Sequence, residues 1–120
     1  MPDPTPMNAK TAAELQELEQ EQPGLTNDLI RIFLADAPRQ MERIDAAYAA
    51  RDPEAMRQAA HFLRSGALVL GLTSLCEQSK AVELLAPESY GTADADQRIS
   101  RLGSELGPVL EALSEQLRGN

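Results

Sequence analysis

The sequence predicts an all-α protein, an antiparallel four-helix bundle with an additional peripheral N-terminal helix. Three observations lead there. The chain is rich in Ala, Leu, Glu, Gln and Arg but holds only two Tyr, two Phe and no Trp, an inventory that favours helices over pleated sheets. Apolar residues recur three and four apart through most of it, the spacing of a helix with one buried face. Pro, Gly and short polar residues break that pattern at intervals suited to helix ends.

Residues 1–10 carry three prolines and little apolar material, and are read as a flexible leader before a single domain over 11–118. Thr11 and Glu14 have the spacing of a capping box, and Leu15 and Leu18 give the first helix a short stripe that ends before Pro23 and Gly24. Thr26 or Asn27 can cap a second helix, with Leu29, Ile30, Phe33 and Leu34 on one face, and Pro38 is expected to end or kink it. A third follows with Met41, Ile44 and either Ala47 or Tyr48 inward. Asp52, Pro53 and Glu54 together mark the start of a fourth: a cap, a proline that needs no hydrogen bond there, and an acid at the positive end of the dipole. This helix runs towards Gly71 with Met56, Ala59 or Ala60, Leu63, Ala67 and Leu70 inward.

After Thr73 and Ser74 a fifth helix places Leu75, Cys76, Ser79, Val82 and Leu85 on its inner side and stops at Pro87. Residues 87–92 form a turn. The last helix spans 93–117 with Ile99, Leu102, Leu106, Val109, Leu113 and Leu117 alternately three and four apart, and Pro108 is expected to kink it. That stripe could pair with a second copy, but matching stripes on the neighbouring helices and short connections favour an intramolecular bundle and a monomer.

Composition also bounds function. Eleven basic against nineteen acidic residues give a net charge of −8, which repels a nucleic-acid backbone. No window approaches the roughly 18 apolar residues that span a bilayer, and the N-terminus lacks the apolar stretch of a secretory signal, so a cytoplasmic location is expected. The lone Cys76 has no partner for a disulfide or a CxxC site and is read as a buried core thiol. One His and one Cys make a poor metal set, so no metal is assigned, and no GxSxG elbow or phosphate-cradling glycine loop is present.

What chemistry remains lies on the fourth predicted helix. Arg57, Gln58, His61, Arg64, Ser65 and Leu68 share one face, directed away from Met56, Leu63 and Leu70. A neutral imidazole carries a nucleophilic nitrogen at pH 7. Arg64, one turn on, is placed to make charge-assisted hydrogen bonds to phosphate oxygens, while small Ser65 and Gly66 leave room for a partner surface. From periodicity alone, His61 is an exposed helix histidine and Arg64 a solvated charge.

The segment AHFLRSGALVLGLTSLCEQSKAVE, residues 60–83, resembles the signature of histidine-containing phosphotransfer (HPt) domains. That signature has an Ala-His pair, Leu two residues after the His, Lys after it, two small residues, a Gly ten residues after the His, then Leu, an apolar or Cys position and a closing acid. Ala60, His61, Leu63, Ser65, Gly71, Leu75, Cys76 and Glu83 match it, and the similarity extends over roughly residues 11–117. Two positions depart: Arg64 stands where Lys is usual, and Gly66 where Ser or Ala is commoner.

The resemblance implies a phosphocarrier rather than an enzyme. His61 would take a phosphoryl group from an aspartyl phosphate on a response-regulator receiver domain and pass it on, with Arg64 contacting phosphate and Arg57, Gln58, Ser65 and Leu68 docking the partner. No cofactor is expected on this chain; Mg²⁺ is expected on the receiver. The implied partners are receivers of a hybrid histidine kinase and of a downstream regulator. A docking protein that binds receivers without transferring phosphate is the alternative, with Arg64 as its clue.

Overall fold

The computed structural model describes residues 6–119, and among them every regular element is helical: α1 (Ala9–Glu21), α2 (Leu25–Ala50), α3 (Pro53–Val69), α4 (Thr73–Glu83), a 3-10 turn at Pro87–Ser89, and α5 (Ala93–Arg118). Helices α2 to α5 pack in a ring, each against the next and α5 back against α2, while α1 lies outside against α2. This is the bundle with a peripheral first helix that the stripes predict. Its core is drawn from all four: Ile30 and Ile44, Met56 and Leu63, Leu75 and Val82, and Leu102 and Leu113 are buried essentially completely. Each such side chain contributes about 1.5–3 kcal/mol through removal from water.

Four boundaries depart from expectation, one of them the end of α4, which stops at Glu83 and leaves buried Leu85 in the connection that follows. The second and third predicted helices are one, α2, continuous through Pro38, so His61 stands on the third helix of the chain and not the fourth. The reason is that Ile30, Phe33, Ala37, Gln40, Ile44 and Ala47 form a single buried stripe that runs past the proline, while Pro38 itself lies on the exposed face. There water can satisfy the carbonyl left without a donor, and burial of the stripe outweighs the local cost. Exposed Pro108 is likewise contained within a continuous α5.

The cap of α1 is Asn8 and not Thr11: its side chain accepts from the Thr11 amide at 2.8 Å. Of the leader expected over 1–10, residues 1–5 lie outside the described residues, and Met7 is buried in the core cluster. The Asn8 amide donates to the Gly71 carbonyl at 2.9 Å and its side chain to the Thr73 hydroxyl at 3.0 Å, tying α1 to the α3–α4 turn. Gly71 adopts φ +65°, and a Cβ there would come within 2.5 Å of Thr11. Leu18, expected inward with Leu15, is 46% exposed.

Neither Thr26 nor Asn27 caps α2. Gly24 holds that position at φ +88° without a side-chain bond. The Glu19 carboxylate of α1 substitutes, accepting from the amides of Gly24 and, at 3.1 Å, Thr26. The Gly24 amide, then Thr26, hold the Glu19 carboxyl below the usual range.

The start of α3 follows the sequence closely, with Asp52 accepting from the Ala55 amide at 3.1 Å and Pro53 in the first turn. Arg51, just before it, takes the left-handed conformation at φ 54°, which costs a non-glycine residue about 1–2 kcal/mol. Its guanidinium donates to the Tyr90 carbonyl, and Gly91 leaves space that a Cβ would take from it. Tyr48 reinforces the junction: its hydroxyl donates to Asp96, accepts from the Gly91 amide at 2.7 Å, and its ring lies 5.5 Å from that of Tyr90. The turn of 87–92 is thereby pinned to the end of α2.

Candidate functional site

His61 sits in the middle of α3, on the face opposite Met56 and Leu63, with its side chain 52% exposed. The antiparallel pairing of α3 with α4 brings Glu83, from the last turn of α4, beside it. Three side chains then meet. Arg64 Nη2 lies 3.1 Å from His61 Nδ1, Arg64 Nε lies 3.1 Å from Glu83 Oε1, and Glu83 Oε2 lies 3.6 Å from the same His61 Nδ1. The Arg64–Glu83 contact is an ion pair rather than an aligned hydrogen bond, since neither atom has a hydrogen-bond partner. At 32% and 21% exposure the two side chains are half-sheltered, which strengthens their attraction relative to an open surface pair.

All interactions of the imidazole with these neighbours fall on Nδ1, so Nε2 is the ring nitrogen presented to a partner. Phe62, the next residue, is 45% exposed with its ring 6.3 Å from the imidazole. Leu68 and Val69, at 68% and 52%, continue the apolar surface along α3. Ile32 is exposed on α2, and its neighbour Phe33 packs its ring 3.0 Å from where a Gly66 Cβ would stand. That contact explains the glycine: Phe33 occupies the space a larger residue would claim. With Arg57 and Arg64 against one acid, Glu54, α3 is positive on a chain of net charge −8.

The six residues expected on this face separate into groups. His61 and Arg64 touch. Ser65 and Leu68 are exposed one and two turns along, flanking the imidazole without bonding to it. Arg57 is exposed, and in the 84–92 connection burial raises the pKa of the Tyr90 hydroxyl while the charge of Arg57 opposes it. Gln58 lines a groove of about 420 Å³ between α2 and α3, walled by Ala46, Ala47 and Ala59 and ending at Phe62.

Cys76 is a correction. It is half-buried, not a closed core thiol, because its turn of α4 lies at the edge of the α3 contact, and Sγ reaches the Arg64 carbonyl at 3.8 Å. Burial chiefly raises its pKa, Arg64 opposing, so it is a weak nucleophile. Glu83 matched the sequence pattern without a role. Its place beside His61 depends on the packing of α4 against α3, which no local spacing encodes. Among the described residues no three His, Cys, Asp or Glu side chains gather as a metal set, and no helix is long and apolar enough to cross a membrane.

Comparison with known proteins bears on the family and the fold. The phosphorelay intermediate protein YPD1 of Candida albicans is 24% identical over 71 residues, 59% of this chain and 39% of that protein, so the chain spans well under half of that relative's length. The crystal structure of histidine-containing phosphotransfer protein B from Pseudomonas aeruginosa superposes with a TM-score of 0.78 at 21% identity, covering 95% of this chain and 96% of that one, a likeness of fold. The Hpt domain profile matches residues 28–119, more than half of the chain and including α3 and α4 entire; the chain belongs to the Hpt domain family.

Proposed function

We propose that this protein is a phosphocarrier in which His61 Nε2 accepts a phosphoryl group from an aspartyl phosphate on a receiver domain and delivers it to another. The observation that carries the reading is the way His61 is held: its inner nitrogen is engaged by Arg64 and Glu83 while the outer one faces solvent. A ring nitrogen open to a partner and beside a guanidinium suits attack on a phosphorus atom once that nitrogen holds the lone pair, and the guanidinium can neutralise the phosphoryl oxygens.

In the step itself the Nε2 lone pair forms the N–P bond, the P–O bond to the aspartate breaks, and the aspartate leaves as a carboxylate. Arg64 contacts the phosphoryl oxygens. The receiver contributes the Mg²⁺ and acidic residues that stabilise the transferring group, so this chain needs to supply only a positioned nitrogen and one cation. The exposed Leu68, together with Ser65, Gln58 and Arg57, forms the docking surface around it. The partners are receivers of a hybrid histidine kinase and of a downstream regulator.

The test is incubation with receiver domains carrying labelled aspartyl phosphate. Label is expected on the native chain, lost in acid and kept in alkali as befits a phosphoramidate, and absent from His61→Gln. Binding of receivers with no label on the native chain gives instead the non-transferring docking protein. Acid-stable label would move the site to a hydroxyl, with Ser65 the nearest.

A further inference from the structure

The two neighbours of His61 Nδ1 make opposite demands on it. A guanidinium has donors only, so Arg64 Nη2 at 3.1 Å requires Nδ1 to be an acceptor, and in a neutral ring the proton is then on Nε2. A carboxylate has acceptors only, so Glu83 Oε2 at 3.6 Å favours the proton on Nδ1. The nearer contact belongs to Arg64, whose Nε also lies 3.1 Å from Glu83 Oε1 as an ion pair. One planar fork therefore occupies the carboxylate and the imidazole together. In that arrangement the solvent-facing Nε2 carries hydrogen and has no lone pair with which to attack phosphorus.

We propose that Arg64 is a tautomer latch: in the free protein it holds His61 with the proton on Nε2, and transfer requires Arg64 to leave Nδ1 so that Glu83 takes its place. The proposal rests on the phosphotransfer reading above and concerns how that site is controlled. Arriving phosphoryl oxygens compete for the guanidinium and draw it off Nδ1. The Nε2 proton passes to water and one from water joins Nδ1, so the ring changes tautomer without net change of charge. Nε2, now carrying the lone pair, forms the N–P bond as the aspartate leaves, and the positive charge that develops on the ring lies with its Nδ1 hydrogen against the Glu83 carboxylate. Glu83 is a positioning residue in this scheme, because it acts through His61 and never meets the phosphate. The latch keeps the carrier unreactive until a phosphorylated surface presents the anion that opens it.

The imidazole nitrogen shifts of ¹⁵N-labelled protein, followed to alkaline pH, report the tautomer directly. The native chain is expected to show the Nε2 proton. Arg64→Ala should move the ratio about ten-fold towards Nδ1, the lower end for a charge-assisted contact because the pair is partly exposed, and Arg64→Lys, which still donates, should return it towards native. Glu83→Ala should keep the Nε2 proton and lower the transfer rate from a phosphorylated receiver by about ten-fold without weakening receiver binding. A native ring already protonated on Nδ1, no change in Arg64→Ala, or native transfer by Glu83→Ala each overturns the latch. Amide spectra of the variants establish that they fold. If the native chain takes no phosphate at all, the carrier reading fails, while the nitrogen shifts still decide the tautomer.

Discussion

His61 is half-exposed and contributes no packing to the core beneath it. His61→Gln is therefore expected to unfold within about 0.5 kcal/mol of native while taking up no label; a lowered denaturation midpoint or lost helicity by circular dichroism would contradict the exposed placement. Gly91 stands at the other extreme. It needs φ +91°, and an added Cβ would come within 2.5 Å of the Arg51 guanidinium, so Gly91→Ala meets backbone strain and a displaced hydrogen bond together. A loss of about 1–3 kcal/mol is expected in urea unfolding, and a value near zero would mean that Arg51 finds an equivalent position elsewhere. Asp52, Pro53 and Gly71 were legible in the sequence because their effects are local, whereas Gly91 depends on an arginine forty residues earlier.

At the scale of the helix, Pro38 shows a local rule giving way to a longer pattern. The stripe from Ile30 to Ala47 keeps its spacing across the proline, and that continuity was visible in the sequence but outweighed by the breaker. Pro38→Ala restores the missing amide on an exposed face, and since proline costs about 3 kcal/mol more than alanine inside a helix, partly offset by the freer unfolded chain, a gain of about 1–3 kcal/mol is expected with an unchanged denaturant slope. A loss would mean that the bundle uses the shape the proline imposes on α2. The junction of α1 and α2 carries a pH dependence. Glu19 titrates lower in the folded protein than in the unfolded chain because it accepts from the Gly24 and Thr26 amides. Its contribution is therefore complete above the ordinary glutamate range, about pH 4, and is lost as pH falls through the depressed folded value. Glu19→Gln should flatten the acid limb of a melting-temperature profile relative to native; identical limbs would remove Glu19 from the acid response.

Over the whole molecule, buried and exposed apolar groups indicate where association is expected. Ile99, Leu102, Leu106 and Leu113 of α5 are spent inside the bundle, which removes the stripe a coiled-coil dimer would have used. Phe62, Leu68 and Val69 remain outside on the helix that bears the imidazole, and Ile32 on α2. On the carrier reading proposed above, that surface meets a receiver rather than a second copy. Sedimentation equilibrium at low micromolar concentration is accordingly expected to give the mass of one chain, and a dimer mass lost on Leu68→Glu would reassign this face to self-association.

By itself the sequence determined the helical class, the core stripes, the Asp52–Pro53 start of α3 and the exposed face that bears His61 and Arg64. These follow from periodicity and capping, which act over a few residues. Tertiary structure alone decided that Pro38 is passed over and that Glu19 caps a helix it does not belong to. It also decided that Glu83, twenty-two residues beyond His61, stands against Nδ1 in competition with Arg64. Each of these depends on the packing of one helix against another, and the energy of that packing is summed over a whole interface. No short window of sequence contains it.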